Sequence, residues 1–411
     1  MKISPFVKLL QGFLTASFSQ LAISASGFAW TYFLLHSLEP DDFGVFSVIQ
    51  ALSLLLSGLL GAWFVLPWLV RLPKNDEAQT VLIIKTWVSY LMVPFFVVVP
   101  IVIFLYHFFP GNVFLLVAFL GLALVPRDYF IRASIAGGVA IKSLWPNVAM
   151  LAFVVVAIWM VDAFNTTLTL DLAVFIVAVS AFASPVFGYI SLALVATKKS
   201  KFNLPSTDIA VQERIVCALS YFVGWIQAQA IVMFVFVALS KEAAALIAAA
   251  RLTVAPFVLM APVVNNLIMH HFRGSDMARR RSVWINGSWL IAFGSLVYIC
   301  VLWLTFDWIV AVTVPQTLTL PFSVVFGIVL LSSLQLIRDV SRSVLYSLFR
   351  SSDVLRDSIA GALLMVVLLW GAAVNGNLGL DGFVFMAVLS EFAFVLLIVR
   401  RTGLSISKAT A

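Results

Sequence analysis

KKSKFNLPSTDIAVQER, Lys198 to Arg214, decides how this chain is read. It is the one sizeable polar stretch between two long apolar runs, Leu172–Val195 before it and Ile215–Ser240 after it, and it lies near the middle of 411 residues. Lys198, Lys199, Lys201 and Arg214 mark it as a segment retained on the cytoplasmic side, because lysine and arginine stay there during membrane insertion. Working outward, the chain resolves into about twelve apolar segments joined by short polar hinges. They are Gly12–His36, Val45–Val70, Val81–His107, Val113–Ala136, Leu144–Val161, Leu172–Val195, Ile215–Ser240, Ala243–His271, Val283–Phe306, Leu318–Ile337, Val354–Val374 and Gly382–Val399. A helix rises about 1.5 Å per residue and needs about 20 residues to cross the hydrocarbon, which most of these segments supply. Assigning the hinges alternately to two sides puts all but two of the 25 lysines and arginines on one side. Lys241 falls on the other, and Arg251 lies inside an apolar segment. Both termini are therefore expected on the cytoplasmic side.

Composition excludes a soluble globule. With 63% hydrophobic and 10% charged residues, the surface would carry too few charges to stay in water, and only closed helices cross lipid without stranding backbone polar groups. The net charge of +7 sits in turns next to the membrane, where it orients the protein and meets anionic headgroups, so no nucleic-acid partner is expected. Cys217 and Cys300 lie in apolar runs and suggest no disulfide framework. The first run is too long for a signal-peptide core and reads as the first span. No GxxxxGK[ST] loop, HExxH or paired Cys/His spacing occurs, and adjacent His270 and His271 cannot share one helical face as ligands. External hinges are short and acidic (Glu39, Asp41 and Asp42 in the first), leaving no platform for a catalytic domain. No enzyme activity, metal or cofactor is expected.

The central stretch divides the chain into a first six-helix lobe over residues 1–197, a linker over 198–214 and a second six-helix lobe over 215–411. An internal echo supports the division. The fourth span ends in PRDYFIRAS, with Arg127-Asp128 followed by Arg132; the tenth ends in IRDVSRSVL, with Arg338-Asp339 followed by Arg342. Six helices return the chain to its starting side, so such halves are parallel repeats about an axis along the membrane normal.

Charge at membrane depth is the next signal, since a central ionised group costs about 2.5–3.5 kcal/mol on insertion scales and faces a bundle interior or a wet cavity. Arg251 in the eighth span and Glu391 in the twelfth qualify. Two roles fit Arg251: a cavity cation for an anionic headgroup such as a diphosphate, or an interhelical tie to carbonyls or a carboxylate. Two also fit Glu391: a protonatable coupling group, or the partner of a buried cation. Arg127, Arg132, Arg338 and Arg342 suit a cationic ring at the cytoplasmic mouth, and equally suit ordinary anchoring. Lys85 snorkels to the headgroups. Gln20, Gln227, Gln229, Asn265, Asn266 and Asn286 are amides suited to tying helices together; Gln227 and Gln229 flank Ala228 and so point to different faces. Pro67, Pro94, Pro100, Pro185, Pro256 and Pro262 bend their helices.

The order of these features resembles the polysaccharide (O-antigen and exopolysaccharide) flippases of the multidrug/oligosaccharidyl-lipid/polysaccharide exporter (MOP) superfamily. LEPDDFGVFSVIQALS, Leu38 to Ser53, is similar to that family's first external hinge. WIQAQAIVMFVFVALSKEAAALIAAARLTVAPFVLMAPVVNNLI, Trp225 to Ile268, is similar to the start of its second half, with Arg251 matching a recurrent arginine in an Ala-rich helix. The Arg127-to-Arg132 stretch is also similar. The chain departs from the family in its compactness and in Ala245-Leu246 standing where Phe43-Gly44 stands in the first half. The resemblance implies an all-α bundle of two six-helix lobes around a central cavity, in a bacterial inner membrane. It also implies translocation of an undecaprenyl-diphosphate-linked oligosaccharide by alternating access, in company with glycosyltransferases and a polysaccharide polymerase.

Two other readings are weighed against it. A small-molecule or multidrug antiporter would favour acidic cavity residues, which are scarce here, and the second hinge, RLPKNDEAQT, lacks the Gly-x-x-x-Asp-Arg pattern of major-facilitator proteins. A membrane-embedded polymerase or ligase would need a large external loop.

Overall fold

The computed structural model describes residues 25–65, 101, 111–136, 140–164, 166–193, 211–258, 277–347, 351–375 and 378–410. These residues are helical with no strand among them. We number the helices α1 (25–37), α2 (Pro40–Leu60), α3 (Val113–Ala136), α4 (Ala140–Ala163), α5 (Leu170–Ala193), α6 (Val211–Ala238), α7 (Lys241–Val258), α8 (Met277–Thr313), α9 (Phe322–Ser347), α10 (Ser351–Asn375) and α11 (Gly379–Thr410). A π-helical turn, Gly61–Val65, follows α2.

Nine of the described helices are long and apolar enough to cross a membrane. They correspond to the second, fourth to seventh and ninth to twelfth expected spans. This is a multi-pass membrane protein. Of the other three expected spans, the first contributes α1, the eighth contributes α7, and the third lies outside the described residues apart from Ile101. The linker from Lys198 to Ala210 also lies outside them, as do Gln20, Pro67, Lys85, Pro94, Pro100, Pro262, Asn265, Asn266, His270 and His271.

The helix ends follow from local chemistry. Asn112 caps α3, its Oδ1 accepting from the Phe114 amide at 3.0 Å, and Gly111 turns the chain just before it at a φ of 75°. Ser240 Oγ accepts from the Ala243 amide at 3.0 Å to start α7, with Glu242 in the first turn where the helix dipole favours it. Hydroxyls within the spans are satisfied by their own helix: Ser47, Ser295, Ser333 and Thr402 each donate to the carbonyl four residues back.

The chain forms two compact units. The first comprises residues 1–38 and 49–222. There α3, α4 and α5 pack together, with Phe119 stacked on Phe175 and the Phe153 ring edge-on to Phe187. Tyr221, at the end of this unit's share of α6, donates to the Leu54 carbonyl at 2.7 Å. Gly58 makes room for its ring, since a Cβ at that position would overlap it.

The second unit comprises residues 39–48 and 223–411. In α7, Ala244, Ala245, Ala249 and Ala250 are fully buried; side chains this small let neighbouring helices approach closely. By contrast α8 turns Trp289, Phe293, Trp303 and Trp308 outward, as a lipid-facing helix does. Gly44 lies against the Lys241 backbone, and a Cβ there would overlap the Lys241 carbonyl. Gly44→Val is therefore expected to cost folded yield, read as loss of the monodisperse peak in size-exclusion chromatography. An unchanged peak would show that the two backbones separate without penalty.

Candidate functional site

One helix boundary bears on the setting of the charged candidates. The tenth expected span ended at Ile337, leaving Arg338 and Arg342 at the membrane edge. The helix in fact runs on to Ser347, and Arg338 lies 16 residues into it, about 24 Å along at helical rise. Arg338 is 5% exposed. Polar residues in this part of α9 are buried against other helices.

Around Arg338 four helices of the second unit meet. Arg338 Nη1 donates to Glu391 Oε1 of α11 at 2.8 Å, and Nε donates to its neighbour Asp339 at 3.1 Å. Glu391 is 1% exposed. Arg342, one turn on, reaches Asp339 at 3.7 Å and donates to Ser358 Oγ of α10 at 2.6 Å. Both guanidiniums share Gln227 Oε1 of α6, Arg338 at 3.2 Å and Arg342 at 2.8 Å, while Gln227 Nε2 donates to the Ser358 carbonyl at 3.1 Å. The Phe394 ring underlies both cations, at 6.0 and 5.4 Å from ring centre to guanidinium carbon. Phe394 in turn belongs to a dry core with Leu345, Val354 and Ile398. Two arginines and two carboxylates leave the cluster neutral.

Arg127, Arg401 and Arg356 are also met by carboxylates. Arg127 donates through Nε and Nη2 to Asp128 Oδ1 at 3.1 and 2.9 Å, and its remaining arm reaches the Met150 sulfur of α4 at 2.7 Å. The echo seen in sequence thus has a structural counterpart: in each unit an arginine folds its Nε onto the following aspartate at 3.1 Å. Arg132 continues along α3, with its side chain outside the described residues. Arg401 of α11 holds Asp353 at 3.2 Å and makes a 2.8 Å ion-pair contact with Asp357, too poorly aligned to count as a hydrogen bond. Arg356 reaches Asp353 at 3.4 Å.

Arg251 is the exception. Ten residues into α7, it donates from Nη1 to Gln229 Oε1 and from Nη2 to the Ala228 carbonyl, both at 2.6 Å. Among the described residues no carboxylate lies within ion-pair distance of it. Glu391, the other charge singled out at depth, is committed to Arg338 instead. The contact with Gln229 was legible in principle. Gln229 lies eleven residues before Ser240 and Arg251 eleven after it, so an antiparallel hairpin sets them side by side. The joint use of Gln227 by two arginines of α9 carried no such signal. Among the described residues no group of three His, Cys, Asp or Glu side chains could hold a metal ion.

No family profile matches the chain, and no curated protein matches it. Solved structures do. A MOP-superfamily transporter from Pyrococcus furiosus, noted for the reverse polarity of its binding pocket, is 12% identical; the alignment covers 98% of this chain and 96% of that one, at a TM-score of 0.66. A multidrug resistance MATE-family transporter of the same superfamily in its outward-facing conformation is 14% identical, with both chains fully covered, at 0.65. A MATE in the straight conformation is 11% identical, covering 98% and 96%, at 0.68. This chain shares its fold with these transporters. Identities this low speak to architecture alone.

Proposed function

We propose that this protein is an alternating-access transporter that moves an anionic, lipid-linked saccharide, carried on a diphosphate, between membrane leaflets. The observation that carries the reading is Arg251: a cation about 15 Å along a membrane helix, held by neutral oxygens while Arg127, Arg338 and Arg401 are met by carboxylates. Burying an uncompensated cation is costly, so a span that keeps one has a use for positive charge. A guanidinium has five N–H donors. Two are engaged with Gln229 and Ala228, which orients the group and leaves the rest to face phosphate oxygens, a geometry guanidinium suits. Saccharide and polyprenyl carrier are assigned from the sequence resemblance. That structures of this fold are known in outward- and inward-facing conformations supports the alternating-access cycle.

A second reading has one observation in its favour: multidrug resistance transporters share the fold. An exporter of organic cations calls for a carboxylate available to substrate, whereas Glu391, Asp339 and Asp128 are each engaged by arginine. A pocket of reversed polarity in one structure of this fold supports treating interior charge, and not architecture, as the guide to substrate.

Purified protein in vesicles carrying a fluorescent polyprenyl-diphosphate oligosaccharide tests the proposal. The inner-leaflet pool is expected to become accessible to a membrane-impermeant quencher only when protein is present. Vesicles that leave that pool protected, yet take up an organic cation such as ethidium, would decide for the second reading.

A further inference from the structure

Three consecutive residues of α6 hydrogen-bond to three other helices of the second unit. Gln227 Oε1 accepts from Arg338 and Arg342, and the Gln227 carbonyl accepts from Gln335 Nε2 at 3.2 Å, all from α9. Gln227 Nε2 donates to Ser358 of α10. One residue on, the Ala228 carbonyl takes Arg251 of α7, and at the next Gln229 Oε1 takes its other arm. The two carbonyls lie inside a continuous helix and use a second lone pair for these contacts. Gln227 is 2% exposed, and α10 approaches it so closely at Gly361 that a Cβ there would stand 2.7 Å from Nε2. The amide has no room to swing.

We infer that Gln227–Gln229 is a relay that ties the state of the Arg338–Glu391 pair to the orientation of Arg251. Three residues of one helix span about 3 Å and move as a rigid piece. If Arg338 loses Glu391, its grip on Gln227 changes; α6 then turns or slides, and both acceptors that orient Arg251 go with it. The same link runs backward, because a coupling free energy between two sites is reciprocal. Gln227 and Gln229 are positioning residues in this scheme: they need touch no substrate. The relay deepens the anion reading of Arg251 and rests on it for its consequence in transport, but the mechanical link can be measured without any anion.

The experiment uses full-length protein in detergent and two readouts: amide hydrogen exchange over residues 249–253 of α7, and the Kd for farnesyl diphosphate as an anionic probe. Glu391→Gln removes the charge while keeping the shape. It is expected to speed exchange in the α7 segment severalfold and to shift the Kd by about tenfold, a usual size for coupling between sites. In a Gln227→Leu background the same change should move neither. Gln335→Leu, which takes away only the donor to the Gln227 carbonyl, gives a milder background should Gln227→Leu not fold; there the Glu391→Gln response should shrink. Equal α7 responses in all backgrounds, or none in the wild-type background, overturn the relay. If the exchange pattern holds but farnesyl diphosphate binds wild type and Arg251→Ala alike, the relay stands and the anion reading of Arg251 falls.

Discussion

Glu391→Ala is expected to destabilise the second unit by about 3 kcal/mol, toward the lower end of what breaking a buried ion pair costs. The substitution leaves Arg338, 6% exposed at its side chain, without the carboxylate 2.8 Å away. Asp339 remains at 3.1 Å and Gln227 at 3.2 Å, but Asp339 is 38% exposed and already shared with Arg342, so it compensates only in part. The cost arises from the stranded cation and not from the lost contact as such. Replacing both partners, as in Arg338→Met with Glu391→Leu, should therefore recover most of the lost stability, while Arg342 keeps Asp339. Thermal unfolding in detergent checks both arms. A Glu391→Ala protein that melts with wild type, or a double variant no better than the single, would mean that the pair is solvated in the native membrane protein.

The largest effect on activity is expected at Arg251. Under the proposed function, Arg251→Ala should reduce translocation of the diphosphate-linked saccharide by a hundredfold or more, since a lost charge-assisted contact to phosphate away from water is worth about 3 kcal/mol. Membrane insertion should be unharmed or improved, because arginine at mid-span opposes insertion by about 2.5–3.5 kcal/mol and alanine does not. Loss of transport without loss of insertion separates a functional arginine from one that merely ties α6 to α7. Arg251→Lys is the informative companion. It keeps the charge but cannot reach Gln229 Oε1 and the Ala228 carbonyl with a fixed fork, so an intermediate rate is expected. Vesicle translocation rates together with amounts of protein in the membrane fraction give the comparison; full translocation by Arg251→Ala would remove this residue from the site.

Much of the architecture was written in one-dimensional pattern. Apolar length fixes which segments cross lipid, since backbone groups there must be satisfied within a helix, and nine of the expected spans stand among the described helices. The pairing of Arg251 with Gln229 follows from a short hinge at Ser240, a local constraint. The Arg-Asp echo likewise survives as geometry because both partners are adjacent in the chain.

The tenth expected span stopped at Ile337 whereas α9 continues to Ser347, because polar residues that start at the membrane edge and polar residues that face other helices look alike in a hydropathy pattern. Arg338 and Glu391 stand 53 residues apart, and no periodicity links them. Composition and spacing on their own thus established a polytopic helical protein, nine of its expected spans and the rare charges within its apolar segments. Which charge meets which was decided only in three dimensions, by helices that pack side by side and offer each buried cation whatever acceptor happens to face it. That choice left Arg251 with neutral oxygens and Arg338 with a carboxylate, because an ion pair depends on distances of a few ångströms that sequence separation does not encode.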